Sequence, residues 1–292
     1  MVASSRIVVG VDGSAPARDA VRWATREAIR RGAPLELATS TLFEPGNYSD
    51  AIGLRIGAFT DPDVDAKRVL TEAVDLVHET AGVHRISLDT SLHHGSAADV
   101  LSHLSPLPAM IVLGSRGLGE FTGGLMGSVG SAVLAHAKCP VAVIKNGGVA
   151  DGPIVVGVDC TAGSQPAIGF AMREASLRGA DLVAVHAWSD LELGSVLTRD
   201  DDGPWANSDF AERTSLAESL AGWSVDYPDV VIRRVVVQDR PVRELLHASE
   251  MAQMVVVGSR GRGGFASLLL GSTARAVVHS VDVPVVVVPT ER

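Results

Sequence analysis

The chain has 292 residues, enough for one large domain or two of ordinary size. Hydrophobic residues make up 46% and charged residues 20%, which supplies a packed core and excludes wholesale disorder. A formal net charge of −9 argues against a nonspecific nucleic-acid binder, whose phosphate-facing surface needs an excess of Lys and Arg.

In chain order, short Val/Ile runs alternate with stretches of helical spacing. Strands are predicted over 7–12, 35–41, 86–92, 110–114 and 140–145, and helices over 16–31, 62–82, 97–104 and 128–137. Ala17, Ala20, Val21, Ala24 and Ala28 fall on one face of the first helix. The pattern then restarts, with strands predicted over 154–159, 182–188, 230–237, 254–258 and 284–288.

The restart is a repeat. IVVGVD at 7–12 returns intact at 154–159, REAIRRGA at 26–33 returns as REASLRGA at 173–180, and CPVAVI at 139–144 resembles VPVVVV at 283–288. A repeat of this length is a whole domain, so two domains are predicted, 1–147 and 152–292, joined near NGGVADGP at 146–153. Five strands alternating with helices, several of them continuous apolar runs, predict a parallel sheet covered on both faces in each domain. Ligands of such sheets bind beyond the carboxyl ends of the strands, where the strand order reverses.

No apolar run approaches the roughly 20 residues that cross a bilayer. The opening apolar run recurs deep in the chain, so it reads as a strand rather than a secretion signal. Cys139 and Cys160 occupy different places in the two repeats, which argues against a disulfide framework and points to a reducing, cytoplasmic compartment.

The glycines carry the functional signal. GSRGLGEFTGGLMGS at 114–128 and GSRGRGGFASLLLGST at 258–273 both fit GxxG, nine residues, then G[ST]. Gly114 and Gly117, like Gly258 and Gly261, follow the fourth strand, whereas Gly127 and Gly271 precede Ser128 and Ser272 at a new helix. Exposed amides in such a bend, with the positive end of a helix, form an anion site. Ser128 and Ser272 are placed either to cap the helix or to donate to the anion. The P-loop pattern is absent, because no Lys precedes the hydroxyl residue, and GxGxxG is met only loosely, by Gly261, Gly263 and Ala266 in the second copy.

The repeated GxxG-9x-G[ST] pattern, with the opening VGVDGS at 9–14, resembles the nucleotide-binding motif of the universal stress protein family, in its ATP-binding branch and tandem arrangement. The resemblance implies two Rossmann-like α/β domains of the adenine nucleotide alpha hydrolase-like type, ATP with Mg²⁺ in each, and a regulator of stress or growth arrest. It implies that Asp12 and Asp159 face ribose or adenine; the residues alone equally allow a turn or helix cap there. It also implies that Val11, Gly13 and Ser14, with Val158, Cys160 and Thr161, line the two pockets, and that the main chain at Ala38 and Val185 meets the adenine edge. Ser115 and Arg116, repeated as Ser259 and Arg260, are candidates for phosphate contact, with a solvent-facing Arg as the alternative. Thr273 adds a hydroxyl that Val129 lacks. Cys160 stands where Gly13 does, so a required positive φ would strain the second copy.

Adjacent His93 and His94 point to opposite strand faces and do not make a metal pair, and the acidic RDDDGPW at 199–205 reads as a solvated loop. No catalytic base or arginine finger is identifiable, which makes fast ATP turnover unexpected; slow hydrolysis, an adenylate-forming enzyme and a ligand-free scaffold are the alternatives. The apolar last strands would lie at sheet edges that invite a partner, and the resemblance implies that the two halves pair there; a homodimer is expected, with an unknown downstream protein partner and no membrane or nucleic-acid partner.

Overall fold

The structure, a computed structural model, describes residues 6–41, 61–106, 108–117, 126–188, 204–261 and 270–290. The chain forms two compact units, Met1–Lys145 and Asn146–Arg292. The segment proposed as a linker belongs to the second: the Val149 amide donates to the Ala252 carbonyl at 3.0 Å, and the Gln253 amide to the Pro153 carbonyl at 3.0 Å.

The first unit runs β1 (Ile7–Gly10), α1 (Ala15–Arg31), β2 (Leu35–Thr41), α2 (Pro62–Ala81), β3 (Leu88–His94), α3 (Ala97–Leu104), β4 (Met110–Gly114), α4 (Ser128–His136) and β5 (Val141–Ile144). Its strands lie in the order β3-β2-β1-β4-β5, with every pair parallel. The chain moves outward from β1 to β3 on one side and resumes at β4 on the other. The order thus reverses between β1 and β4, which opens a crevice at their carboxyl ends.

The second unit runs β6 (Ile154–Gly157), α5 (Gln165–Arg178), β7 (Leu182–Trp188), α6 (Pro204–Ser219), α7 (Trp223–Asp226), β8 (Ile232–Gln238), α8 (Pro241–Ser249), β9 (Met254–Gly258), α9 (Ser272–Ser280) and β10 (Val285–Val288). Its order, β10-β9-β6-β7-β8, is again parallel throughout and reverses between β6 and β9. Central strands are buried on both faces, which is why IVVG and MVVVG carry no alternation. The outer strands β3 and β8 share a half-exposed pattern.

The repeated REA and RGA segments have a structural reason. Glu27 and Glu174 are buried within their helices and take ion pairs one turn on, Glu27 to Arg30 and Arg31 at 2.6 Å each and Glu174 to Arg178 at 3.1 Å. Gly32 and Gly179 then end the helices at φ 60, each returning its amide to the last helical carbonyls. That left-handed stop suits glycine because a Cβ there meets the carbonyl oxygen.

Candidate functional site

A cleft of about 1330 Å³ opens at the carboxyl ends of β1, β2 and β4 in the first unit. Of the residues singled out from sequence there, Val11, Asp12, Gly13, Ala38, Gly114, Arg116, Gly117, Gly127, Ser128 and Val129 line it. Ser14 and Ser115 do not. Ser14 is the N-cap of α1, where its Oγ accepts from the Ala17 amide at 3.2 Å. Ser115 is buried; its amide donates to the Ile144 carbonyl and its carbonyl accepts from the Gly127 amide, closing the glycine loop on itself.

Asp12 satisfies part of both readings. Its Oδ1 accepts from the Ser14 amide at 2.9 Å, the turn role, while its Oδ2 faces the loop, 2.5 Å from where a Cβ on Gly117 would stand. The Gly127 Cβ position is 3.7 Å from the Gly117 amide nitrogen, so the two ends of the loop meet. Gly13 has φ 83.

Two expectations change in detail. Ser128 does not cap α4: Gly127 is the N-cap, no side chain bonds the first turn, and Ser128 is the first helical residue. Among the described residues no side chain accepts from the leading amides of α4, and they open on the cleft, which Ser128, Val129 and Gly130 all line. At Ala38, where the main chain is expected to meet a base, the carbonyl accepts from the Val11 amide at 2.9 Å as the β1–β2 ladder ends. Main-chain groups two residues apart on a strand face the same neighbour, and β1 stops pairing at Gly10↔Ala38. Ser40, which the sequence reading passed over, thus turns its main chain past the end of β1, and it lines the cleft. Thr39 and Thr41 line it too, with Thr41 Oγ1 3.0 Å from His94 Nδ1 and 3.3 Å from Asp63 Oδ1.

The second unit repeats the backbone and changes the surroundings. Gly271 is again the N-cap of an α9 without side-chain capping, so Ser272 and Thr273 are its first two residues rather than caps. The Val158 amide donates to the Val185 carbonyl at 2.9 Å, as in the first copy. Asp159 Oδ1 accepts from the amide and hydroxyl of Thr161, at 3.0 and 2.7 Å, and from Ser164 Oγ. Asp159 Oδ2 lies 3.2 Å from the Cβ position of Gly261, and the Gly258 Cβ position is 3.2 Å from the Arg260 carbonyl.

Ser259 and Arg260 are committed elsewhere. The Ser259 hydroxyl accepts from the Thr290 amide at 3.1 Å, and Arg260 donates to Thr290 Oγ1 and the Thr290 carbonyl, both at 2.9 Å. Both side chains are thus tied to Thr290, whereas Arg116 is exposed on the rim of its cleft.

Cys160 has φ 60, and among the described residues it is the non-glycine residue with positive φ. The position requires the left-handed conformation in both copies, which costs an ordinary L-residue roughly 1–2 kcal/mol. Beneath it lies His186, 1% exposed. Its Nδ1 is 2.8 Å from the Val158 carbonyl oxygen and its Nε2 is 2.7 Å from Glu212 Oε2 of α6. Burial works against the charged ring, but hydrogen bonds to Cys160, the Val158 carbonyl and Glu212 outweigh it and lift His186 to about 9. Sequence reasoning missed this residue, because LVAVHAW reads as a core strand.

Among the described residues, no cluster of three or more His, Cys, Asp or Glu side chains is arranged to hold a metal ion, and no helix is long and apolar enough to cross a membrane. Residues 199–203 of the acidic segment and the middles of both glycine loops, 118–125 and 262–269, lie outside the described residues.

A sequence profile of the universal stress protein family matches residues 4–145 and again 152–289. Universal stress protein Rv1996 of Mycobacterium tuberculosis is 40% identical over 299 residues, covering 96% of this chain and 94% of its own. Universal stress protein Rv2005c of the same organism is 38% identical over 292 residues, covering 96% of each. A crystal structure of a universal stress protein from Archaeoglobus fulgidus superposes with a TM-score of 0.66 at 19% identity, covering 98% of both chains. The chain belongs to the universal stress protein family and carries the family's unit twice.

Proposed function

We propose that the first unit binds ATP and that the protein acts as a nucleotide-responsive regulator of stress or growth arrest. The observation that carries this reading is the convergence, in one cleft, of the Gly114–Gly117 bend and the uncapped N-terminus of α4. Both offer amide hydrogens and positive dipole ends to the same space, which suits a phosphate tail. The cleft exceeds the roughly 300–1,000 Å³ usual for small-molecule pockets. The polar end of β2 leaves room for a base against the main chain of Ser40, and Asp12 Oδ2 faces the loop, where a ribose hydroxyl or an amino group would donate to it.

Mg²⁺ fits such a site as a companion of the phosphates, because it keeps several waters and takes one or two carboxylates rather than a protein cage. Asp12 is the carboxylate nearest the loop; Asp65 and Glu72 line the cleft from α2. The second unit, with Arg260 tied down and His186 beneath the site, is proposed to bind ATP more weakly.

The test is mass spectrometry of nucleotide released from the purified chain under denaturing conditions, followed by ATP titration of Asp12→Asn. Bound adenine nucleotide near one per chain, lost in the variant, supports the reading. A chain that carries none and shows no ATP binding at millimolar concentration overturns it.

A further inference from the structure

The far end of the first cleft holds a hydroxyl whose single hydrogen is committed within the protein. Thr41 closes β2, two strand spacings, about 10 Å, from the Gly114–Gly117 bend at the end of β4. It is buried, and it lines the cleft beside Ser40. Its main-chain carbonyl accepts from the Gly95 amide at 2.7 Å, which leaves Oγ1 as the oxygen it presents to a ligand.

The donor count fixes what that oxygen can bind. A threonine hydroxyl has one hydrogen. Thr41 Oγ1 stands 3.3 Å from Asp63 Oδ1 of α2 and 3.0 Å from His94 Nδ1 of β3. An ionised carboxylate only accepts, so without the Thr41 hydrogen between them two sets of oxygen lone pairs would face each other. If His94 Nδ1 lacks a hydrogen it competes for the same one; if it carries one it donates to Oγ1. In each case the Thr41 hydrogen is taken up inside the protein, and lone pairs alone remain for the cleft. A 6-aminopurine offers an N–H to such an oxygen, whereas a 6-oxopurine offers a carbonyl oxygen that repels it.

The second unit reverses the chemistry at the same place. Trp188 closes β7 opposite Gln238, as Thr41 closes β2 opposite His94. An indole nitrogen only donates, and Trp188 Nε1 is buried and has no partner among the described residues. The second unit therefore lacks the acceptor.

We propose, on the ATP reading of the first cleft, that Thr41 is a specificity-determining residue, its Oγ1 accepting from the exocyclic amino group of 6-aminopurine nucleotides and disfavouring 6-oxopurines. Asp63 and His94 act through it as positioning residues, because they hold its hydrogen away from the ligand.

The full-length chain is titrated calorimetrically with ATP, inosine triphosphate and purine riboside triphosphate, which has no substituent at position 6, and the tighter site is followed. ATP binds about three- to tenfold more tightly than purine riboside triphosphate, the range for one hydrogen bond, and inosine triphosphate binds more weakly still. Thr41→Val lowers ATP affinity by that factor and leaves purine riboside triphosphate unchanged, so the residue and the amino group are coupled. Thr41→Ser keeps the hydroxyl and the preference. Asp63→Ala combined with His94→Ala frees the hydrogen, and inosine triphosphate gains on ATP, which loss of a merely structural contact would not produce. Should Thr41→Val fail to fold, this double variant carries the test, since the His94 and Asp63 side chains are 36% and 30% exposed. An unchanged preference for ATP over purine riboside triphosphate in folded Thr41→Val, or an unchanged ratio of ATP to inosine triphosphate affinity in the double variant, overturns the proposal while ATP binding stands. A chain that binds none of the three nucleotides overturns both.

Discussion

Two glycines three residues apart, Gly114 and Gly117, are expected to fail in opposite ways when replaced by alanine. A Cβ on Gly114 would stand 2.5 Å from the Pro16 carbonyl carbon, 2.7 Å from its oxygen and 2.8 Å from the Ala17 amide nitrogen. These are backbone atoms of the first turn of α1, pinned by the Ser14 cap, so β4 and α1 must separate by nearly an ångström. Overpacking of this kind costs about 1–3 kcal/mol, and an immovable backbone neighbour puts Gly114→Ala at the upper end. Among the described residues, a Cβ on Gly117 would meet Asp12 Oδ2, at 2.5 Å, with the carboxyl carbon at 3.7 Å. A small rotation of the carboxylate relieves that contact, so Gly117→Ala should alter stability by no more than about 0.5 kcal/mol. The rotation takes Asp12 out of its bonding position. A hydrogen bond to a charged group contributes about 1.5–3 kcal/mol, so ATP affinity of the first unit should fall roughly ten- to a hundredfold. Urea unfolding followed by circular dichroism and calorimetric titration with ATP separate the two effects. Equal destabilisation by both variants, or wild-type affinity in Gly117→Ala, would refute the division of labour within the loop.

Three further outcomes follow from single sites. Gly32→Ala, at φ 60 with nothing within 4 Å, should lose about 1 kcal/mol for purely conformational reasons, whereas Gly13→Ala, at φ 83 with Val69 Cγ2 at 3.1 Å, should lose more; urea midpoints of the two rank them. His186 is raised from 6.5 to about 9 in the fold, so its contribution is complete below pH 6.5 and is lost as pH rises through about 9. The shift corresponds to about 3 kcal/mol, read as a drop in unfolding free energy between pH 6 and pH 9.5 that His186→Gln abolishes. Removing Thr290 and the two residues after it should free Arg260 and strengthen anion binding at the second loop, checked by the salt dependence of nucleotide binding in truncated and intact chains.

The sequence discloses whatever is dictated by near neighbours. IVVG, LELATST and MIVLG are strands because their residues are buried on both faces, and the glycine bends are legible because each glycine answers a contact within the same loop or crevice. The third strand is different. It was expected over 86–92 and runs from Leu88 to His94, because its extent is set by its partner: β2 begins at Leu35, opposite Leu88, and ends at Thr41, opposite His94. Within the site, the same limit applies. Whether the Ala38 carbonyl remains open depends on the Val11 amide across the ladder, and whether Ser128 caps α4 depends on a helix that begins at Ser128 itself rather than one residue after it. His186 was hidden for the same reason, since its acceptor Glu212 comes 26 residues later on another element.

The two copies keep the same bend and change what stands around it. In the first unit Gly13 relaxes the turn after β1, and the strand beside it presents Thr39. In the second, Cys160 holds the same left-handed turn at a conformational cost, and the residue aligned with Thr39 is His186, buried between the Val158 carbonyl and Glu212. A residue kept in a sparsely populated conformation persists when surrounding contacts over-determine it. Here the contacts are those of the turn itself, where Asp159 Oδ1 accepts from the Thr161 amide and hydroxyl on either side of Cys160. A glycine at 160 would relieve the turn and leave the Asp159–Thr161 bonds in place. The duplicated loop therefore serves two chemically distinct crevices, one flanked by hydroxyls and an exposed arginine, the other by a part-exposed thiol and a buried histidine.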